Sequence, residues 1–206
     1  MLFAHVHGAR AETLLYEFSS ILDGDAPASA APWGTLSFAD QSGDVLMTLS
    51  IDADFAGNMK ELYFNFAGAA GTSAELHALE FQLLDGVGAT SIDRGLNQFK
   101  ADGDGYHDLL FSYTSGGGFE GGDSSVYLIT SSLGITASMF DSKSLPGGGN
   151  GVWHAVLHAQ NVDGPGTDSA WIGATPIPEP QSYALLLAGL GLLGFIAGRG
   201  RKHISA

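Results

Sequence analysis

Between residues 13 and 173 apolar and polar positions alternate with a period of two, the spacing of strands with one buried face. Leu14, Tyr16 and Phe18 share one face of a first predicted strand. Val45, Met47, Leu49 and Ile51 share another, with Thr48, Ser50 and Asp52 opposite. The same pattern returns in Leu62, Phe64 and Phe66, in Leu79, Phe81 and Leu83, and in Leu109, Phe111 and Tyr113. Further strands are predicted at 125–130 and 152–160. Gly, Asp, Asn or Ser bounds each run, as turns require. Many short alternating runs with glycine-rich turns predict an all-β fold, two antiparallel sheets packed face to face as a β-sandwich or jelly roll. Only 74–78 and 137–141 read as short helices, and 23–32, 116–122, 146–151 and 164–166 read as loops or turns.

The alternation ends in the proline-spaced stretch 175–180, an extended linker. From 183 to 198 there is no charged residue, and Leu, Ala and Gly dominate. A helix of those 16 residues spans roughly 24 Å, against about 30 Å of bilayer core. Snorkelling of Arg199 and Arg201 makes up part of the difference. Arg199, Arg201 and Lys202 form a basic membrane stop that holds this end on the cytoplasmic side and places the preceding residues across the membrane. A GxGxxG at Gly189, Gly191 and Gly194 lies inside the apolar run with no preceding strand, so it is no dinucleotide fingerprint.

Pro178-Glu179-Pro180, then Gln181, Ser182 and Tyr183, the apolar span and the basic end resemble the PEP-CTERM sorting signal of exported bacterial proteins. The resemblance covers about the last thirty residues and depends on all three parts standing in order. It implies recognition by an exosortase-type membrane transpeptidase, cleavage near 178–180, and delivery of the preceding domain to the cell surface or extracellular matrix. The precursor is then anchored in the inner membrane. A plain tail anchor without processing and an ordinary buried helix are the alternatives. The segment 99–105, with Asp108, Phe111 and Trp171-Ile172-Gly173, more loosely resembles the exported domains that precede such tails.

Export needs a signal at the front, and Ala9-Arg10-Ala11 has the small-x-small pattern of a signal-peptidase site. Residues 1–11 are therefore read as the remnant of a signal peptide or as a disordered start, 12–174 as the β-sandwich, and 175–206 as the sorting tail. Its parts are the motif at 178–180, the transmembrane span at 183–198 and the basic end at 199–203. Residues 12–179 hold all 22 acidic side chains against Lys60, Arg94, Lys100 and Lys143, a formal charge of 4 − 22 = −18. Such a surface repels phosphate backbones and argues against nucleic-acid partners. Cysteine is absent, which removes disulfides, thiolate metal sites and cysteine nucleophiles. Stability must come from packing a core, for which about 165 residues suffice.

The first candidate for chemistry is 102–108. Asp102, Asp104 and Asp108 around a glycine turn offer hard oxygen ligands of the kind Ca²⁺ takes. The pattern departs from a helix–loop–helix calcium loop at Tyr106 and Tyr113, and an Asp-Gly hairpin turn explains it equally. Asp52 and Asp54 beside Gly57 and Asn58 repeat the idea more weakly. His154 and His158 stand at strand spacing for one face, a transition-metal pair without a third ligand. Tyr63, Tyr106, Tyr113, Tyr127, Trp33, Trp153 and Trp171 are candidates either for core packing or for sugar stacking. Serine-hydrolase, zinc-protease and phosphate-loop motifs are absent before the tail. The expected function is a non-enzymatic exported surface or matrix protein with polysaccharide as a candidate partner and no catalytic residue or cofactor. The alternative is a secreted carbohydrate-active enzyme on a jelly roll, with its two carboxylates unplaced.

Overall fold

The computed structural model describes residues 12–177, apart from 69, 114–117, 150 and 163–167. The strands are β1 (Thr13–Gly24), β2 (Gly34–Gln41), β3 (Asp44–Ile51), β4 (Asn58–Phe64), β5 (Leu79–Gly86), β6 (Ser91–Lys100), β7 (Gly105–Ser112), β8 (Ser124–Ser131), β9 (Leu145–Pro146), β10 (Ala155–Gln160) and β11 (Ser169–Pro176). They form one 11-stranded sheet in the order β5-β8-β3-β2-β1-β11-β10-β4-β7-β6, with β9 beside β7. Every named strand pair is antiparallel.

The two predicted sheets are thus two halves of one sheet that share β1. Its first part, Thr13 to Phe18, pairs with β2, and its later part, Tyr16 to Gly24, pairs with β11. Register shifts lie between Phe18 and Ser20 and between Ile21 and Asp23. Bulges bend and twist a strand, and here they let one strand serve both halves. The halves face each other through aromatic side chains. Phe38 of β2 meets Phe64 of β4 at 5.5 Å, and Tyr127 of β8 meets Phe111 of β7 edge-on at 5.4 Å.

The alternating runs account for this core. Val45, Met47, Leu49 and Ile51 are buried, as are Leu62, Phe64, Phe66, Leu109, Phe111 and Tyr113. β5 departs from its pattern: Leu79 is buried, Phe81 is partly buried and Leu83 is 41% exposed. β5 ends the sheet order, and its register shifts between Leu83 and Asp85. Leu83 precedes that shift, opposite Tyr127, and its exposure goes with its place on the edge strand, which has a neighbour on one side only.

The helix α1 (Ser73–His77) begins in a capping box, in which Thr72 accepts from the Glu75 amide and Glu75 accepts from the Thr72 amide. The predicted 137–141 helix is a single 3-10 turn, Ala137–Phe140. It delivers Phe140, which lies parallel to Phe38 at 4.4 Å and also touches Phe64 and Phe66. The turn is tied down by Ala137 N–H donating to Asp40 Oδ1 (2.7 Å) and Ala67 N–H donating to the Met139 carbonyl (2.7 Å).

Three stretches differ from expectation. β2 and β6 are strands that the alternation did not single out, and β11 occupies residues assigned to no strand. Thr175 and Pro176, expected in the linker, lie in β11 opposite Glu17 and Tyr16. The compact unit ends at Pro176, and 177–206 form a second unit. Among the described residues no helix is long and apolar enough to cross a membrane. The expected span at 183–198 and the start at 1–11 lie outside the described residues.

Candidate functional site

The Asp-Gly-Asp-Gly segment forms the turn between β6 and β7. Gly103 adopts φ +77°, and a Cβ there would meet Leu22 at 2.7 Å. Glycine is required both for the backbone angle and for the contact with β1. Across the turn, Gly105 and Tyr106 pair with Pro146 and Leu145 of β9, and Gly149 N–H donates to the Asp104 carbonyl at 3.1 Å. Residues 141–149 therefore lie as a strap against this turn.

Asp104 holds the strap from inside. Its side chain is fully buried, as is that of His107. Oδ1 accepts from Ser144 Oγ–H at 2.6 Å, and Oδ2 receives His107 Nε2 at 2.9 Å. The chain of bonds continues to Asn65. Asp108 N–H donates to Asn65 Oδ1 (3.1 Å), which leaves the Asn65 amide nitrogen to donate to His107 Nδ1 (3.0 Å). That places the imidazole proton on Nε2, facing Asp104. The Asp108 carboxylate is likewise occupied. It accepts from Phe66 N–H at 3.3 Å and from Asn97 N–H at 2.7 Å, holding the irregular part of β6 where Asn97 has φ +50°.

Asp102 remains exposed at the turn's surface. The three carboxylates singled out for calcium thus stand in three different settings, and among the described residues no group of three or more His, Asp or Glu is placed to hold a metal ion. Ser144, Asp104 and His107 are the side-chain types of a hydrolytic triad, in another order. Aspartate sits between serine and histidine, so the imidazole does not reach the hydroxyl as it does in a serine–histidine–aspartate triad.

The two candidate histidines also part company. His158 donates through Nδ1 to Glu61 Oε2 (3.0 Å) and stacks on Trp171 at 4.2 Å and 9°. Tyr63 Oη–H donates to the same Glu61 oxygen at 2.8 Å. The His158 and then the Tyr63 hydrogen bonds hold the Glu61 carboxyl below the usual range against the opposing effect of burial. A general acid needs the reverse shift. His154 lies before β10, stacks on Tyr16 at 5.1 Å, and places Nε2 3.1 Å from Asp141 Oδ1. Tyr16 Oη–H donates to that oxygen at 3.0 Å. Burial pushes the His154 pKa down, with Asp141 opposing.

Most of the aromatic candidates are packing residues. Trp33, Tyr63, Tyr113 and Tyr127 are buried, while Tyr106, Trp153 and Trp171 are partly exposed. Trp171 has one ring face against His158 and meets Tyr63 at 5.6 Å. Trp153 lies over Gly173, where a Cβ would stand 2.7 Å from the indole. With Leu22, Tyr63, Ala101 and Val156 these rings build a second apolar cluster, separate from the main core. Its signal was the run Leu62-Tyr63-Phe64, apolar on both faces.

The second acidic turn closes the opposite end of β4. Asp52 Oδ1 accepts from Asp54 N–H at 2.9 Å, and Asp123 Oδ2 accepts from Glu120 N–H at 2.8 Å. Two shallow depressions flank these turns, of about 480 and 370 Å³, and both are lined by Ala53. They were not evident from the sequence, because their lining comes from four separate stretches, 32–35, 50–58, 120–122 and 161.

The remaining candidate is the tail, whose family match covers residues 176–202 and is described as the PEP-CTERM protein-sorting motif. The chain carries a PEP-CTERM sorting signal. It belongs to an exported, membrane-processed protein with a β-domain, and exosortase is the kind of partner that the signal addresses. No curated protein and no solved structure matches the chain. The match begins at Pro176, the last residue of β11. Pro178, Glu179, Pro180, Arg199, Arg201 and Lys202 fall within it and outside the described residues.

Two outcomes test the site's chemistry. Asp104→Ala leaves the buried His107 N–H and Ser144 O–H without their acceptor and should cost about 2–6 kcal/mol in denaturant unfolding, about 1–3 for each unsatisfied donor. Asp102→Ala, at an exposed position, should stay within about 0.5 kcal/mol; equal losses would contradict the separation of roles. For Glu61 the folded-state pKa lies below the unfolded one, so its stabilisation is complete above the ordinary carboxylate range and is lost as the pH falls. The stability gap between the native chain and Glu61→Gln should be full at pH 7, begin to narrow near about pH 4.3 and close only below the lowered folded-state pKa. A gap that widens on acidification would contradict this.

Proposed function

We propose that this protein is cargo for the cell surface or extracellular matrix, with a non-enzymatic β-domain that binds or builds matrix material and a tail that is removed on delivery. The sorting signal at 176–202 carries the reading. The character of the domain supports it. The polar groups at its candidate sites pair internally: Asp104 with Ser144 and His107, Asp108 with backbone amides, Glu61 with Tyr63 and His158. Such pairing suits a stable scaffold more than a reactive centre, which keeps groups poised toward substrate.

The charge of the domain suits this destination. Between 12 and 179 the chain carries −18, which keeps it soluble and repels other acidic chains. Polysaccharide is the proposed extracellular partner, and a neutral one fits this surface better than a sulfated or uronic one. Residues 178–180 are the recognition site for the exosortase-type transpeptidase, and 199–202 hold the precursor until it acts.

The test is fractionation of the native host expressing the wild-type chain or the Pro178→Ala, Pro180→Ala double variant. Wild-type protein should be recovered from the surface or medium. The double variant should accumulate in the inner membrane by at least tenfold. Equal release of both proteins would overturn the role assigned to the motif.

A further inference from the structure

The end of the sheet where β2 and β4 begin and β3 and β10 finish carries the two depressions that share Ala53. One is lined by Asn58, Glu120, Asn161 and Phe55, the other by Thr35 and Ser50 with Asp52. Gly121 lines the first and Gly122 the second, so the pair form adjoining hollows. The backbone between them is close-packed. A Cβ on Gly121 would meet the carbonyl oxygens of Phe55, Ala53 and Asp52 at 2.6, 3.0 and 3.1 Å. Glycine at 121 therefore lets the 120–122 turn pack directly on the 52–55 turn, which brings the two hollows side by side.

We propose that these adjoining hollows bind a neutral polysaccharide segment. The inference rests on the extracellular binding role assigned above and names the site and ligand class for it. Three features select that class. Among the described residues lining either hollow there is no Lys, Arg or His, and both charged ones, Asp52 and Glu120, are acidic, so an anionic glycan is repelled. The other polar side chains are amides and hydroxyls, which both donate and accept, as sugar hydroxyls do. They alternate with the small apolar surfaces of Ala53 and Pro32, which suit sugar C–H faces.

A peptide fits less well. The strand ends here are already paired, Gly34 with Ile51 and Asn58 with Gln160, so no free edge is offered for main-chain pairing. Along β11 the site also lies at the far end from Pro176. Ser169, seven positions before Pro176, is in register with Gln160 and through it with Asn58. A ligand can reach this end without approaching the point where the chain leaves the sheet.

The experiment is affinity electrophoresis of the full chain in detergent through gels holding dextran, β-1,3-glucan, mannan or dextran sulfate. At least one neutral glycan should retard the protein, and dextran sulfate should not. Ala53→Trp and Glu120→Ala change exposed residues, so each should leave the melting temperature within about 2 °C and weaken retardation at least tenfold. Failure of all three neutral glycans, stronger binding to dextran sulfate, or retardation unchanged by Ala53→Trp would overturn the proposal. Export is read separately: surface delivery of a protein that binds no glycan defeats this site alone, and retention of the native chain in the inner membrane defeats the delivery reading.

Discussion

The pairing of β11 between β1 and β10 is the constraint on which the rest of the structure depends. Residues 170–174 have partners on both sides, and among the described residues they join β5, β8, β3, β2 and β1 to β10, β4, β7 and β6 in the sheet order. Without β11 each half would present a bare edge and the buried rings between them would be wetted. The strand comes last among the named strands yet pairs with the first. The sheet therefore closes only after its C-terminal strand is available, a long-range contact of the kind that slows folding. The sorting motif starts two positions beyond the last paired residue, so the processing label follows directly on the strand that completes the domain.

Around that strand the domain spends its polar chemistry on holding loops. Asp104 and Ser144 fasten the 141–149 strap, Asp108 fastens the irregular part of β6, and Asp40 fastens the turn that carries Phe140 into the core. A cysteine-free chain has no covalent staple, and charge-assisted hydrogen bonds in a buried setting perform that task. Acidic residues thus serve two purposes. Those turned inward fix loops, and those turned outward give the domain its negative surface.

Much of the fold was legible in residue order because strands have a side-chain period of two. Val45 through Ile51 and Leu109 through Tyr113 announced their inward faces, and 74–78 read as a short helix where Ser73–His77 forms one. β11 was hidden for a physical reason. Its inward residues include Ala170 and Ala174, and its outward Gly173 makes room for Trp153; a strand packed this tightly on both faces carries small side chains and little contrast in hydropathy. The two halves read as separate sheets because bulges in β1 leave no mark in composition. Asp102, Asp104 and Asp108 shared a spacing but not an environment, since burial and partners are set by the distant Ser144 and Asn65. The tail was the most legible part, because its three segments act through linear order and need no tertiary context.

The decisive measurement is the intact mass of the protein recovered from the envelope and medium of its native host, with the C-terminal residue identified. Delivery through the sorting signal requires a product that has lost the span at 183–198 and keeps β11 whole, with its new C-terminus between 177 and 182. A full-length chain held in the inner membrane, or a product ending before Pro176, would contradict the account.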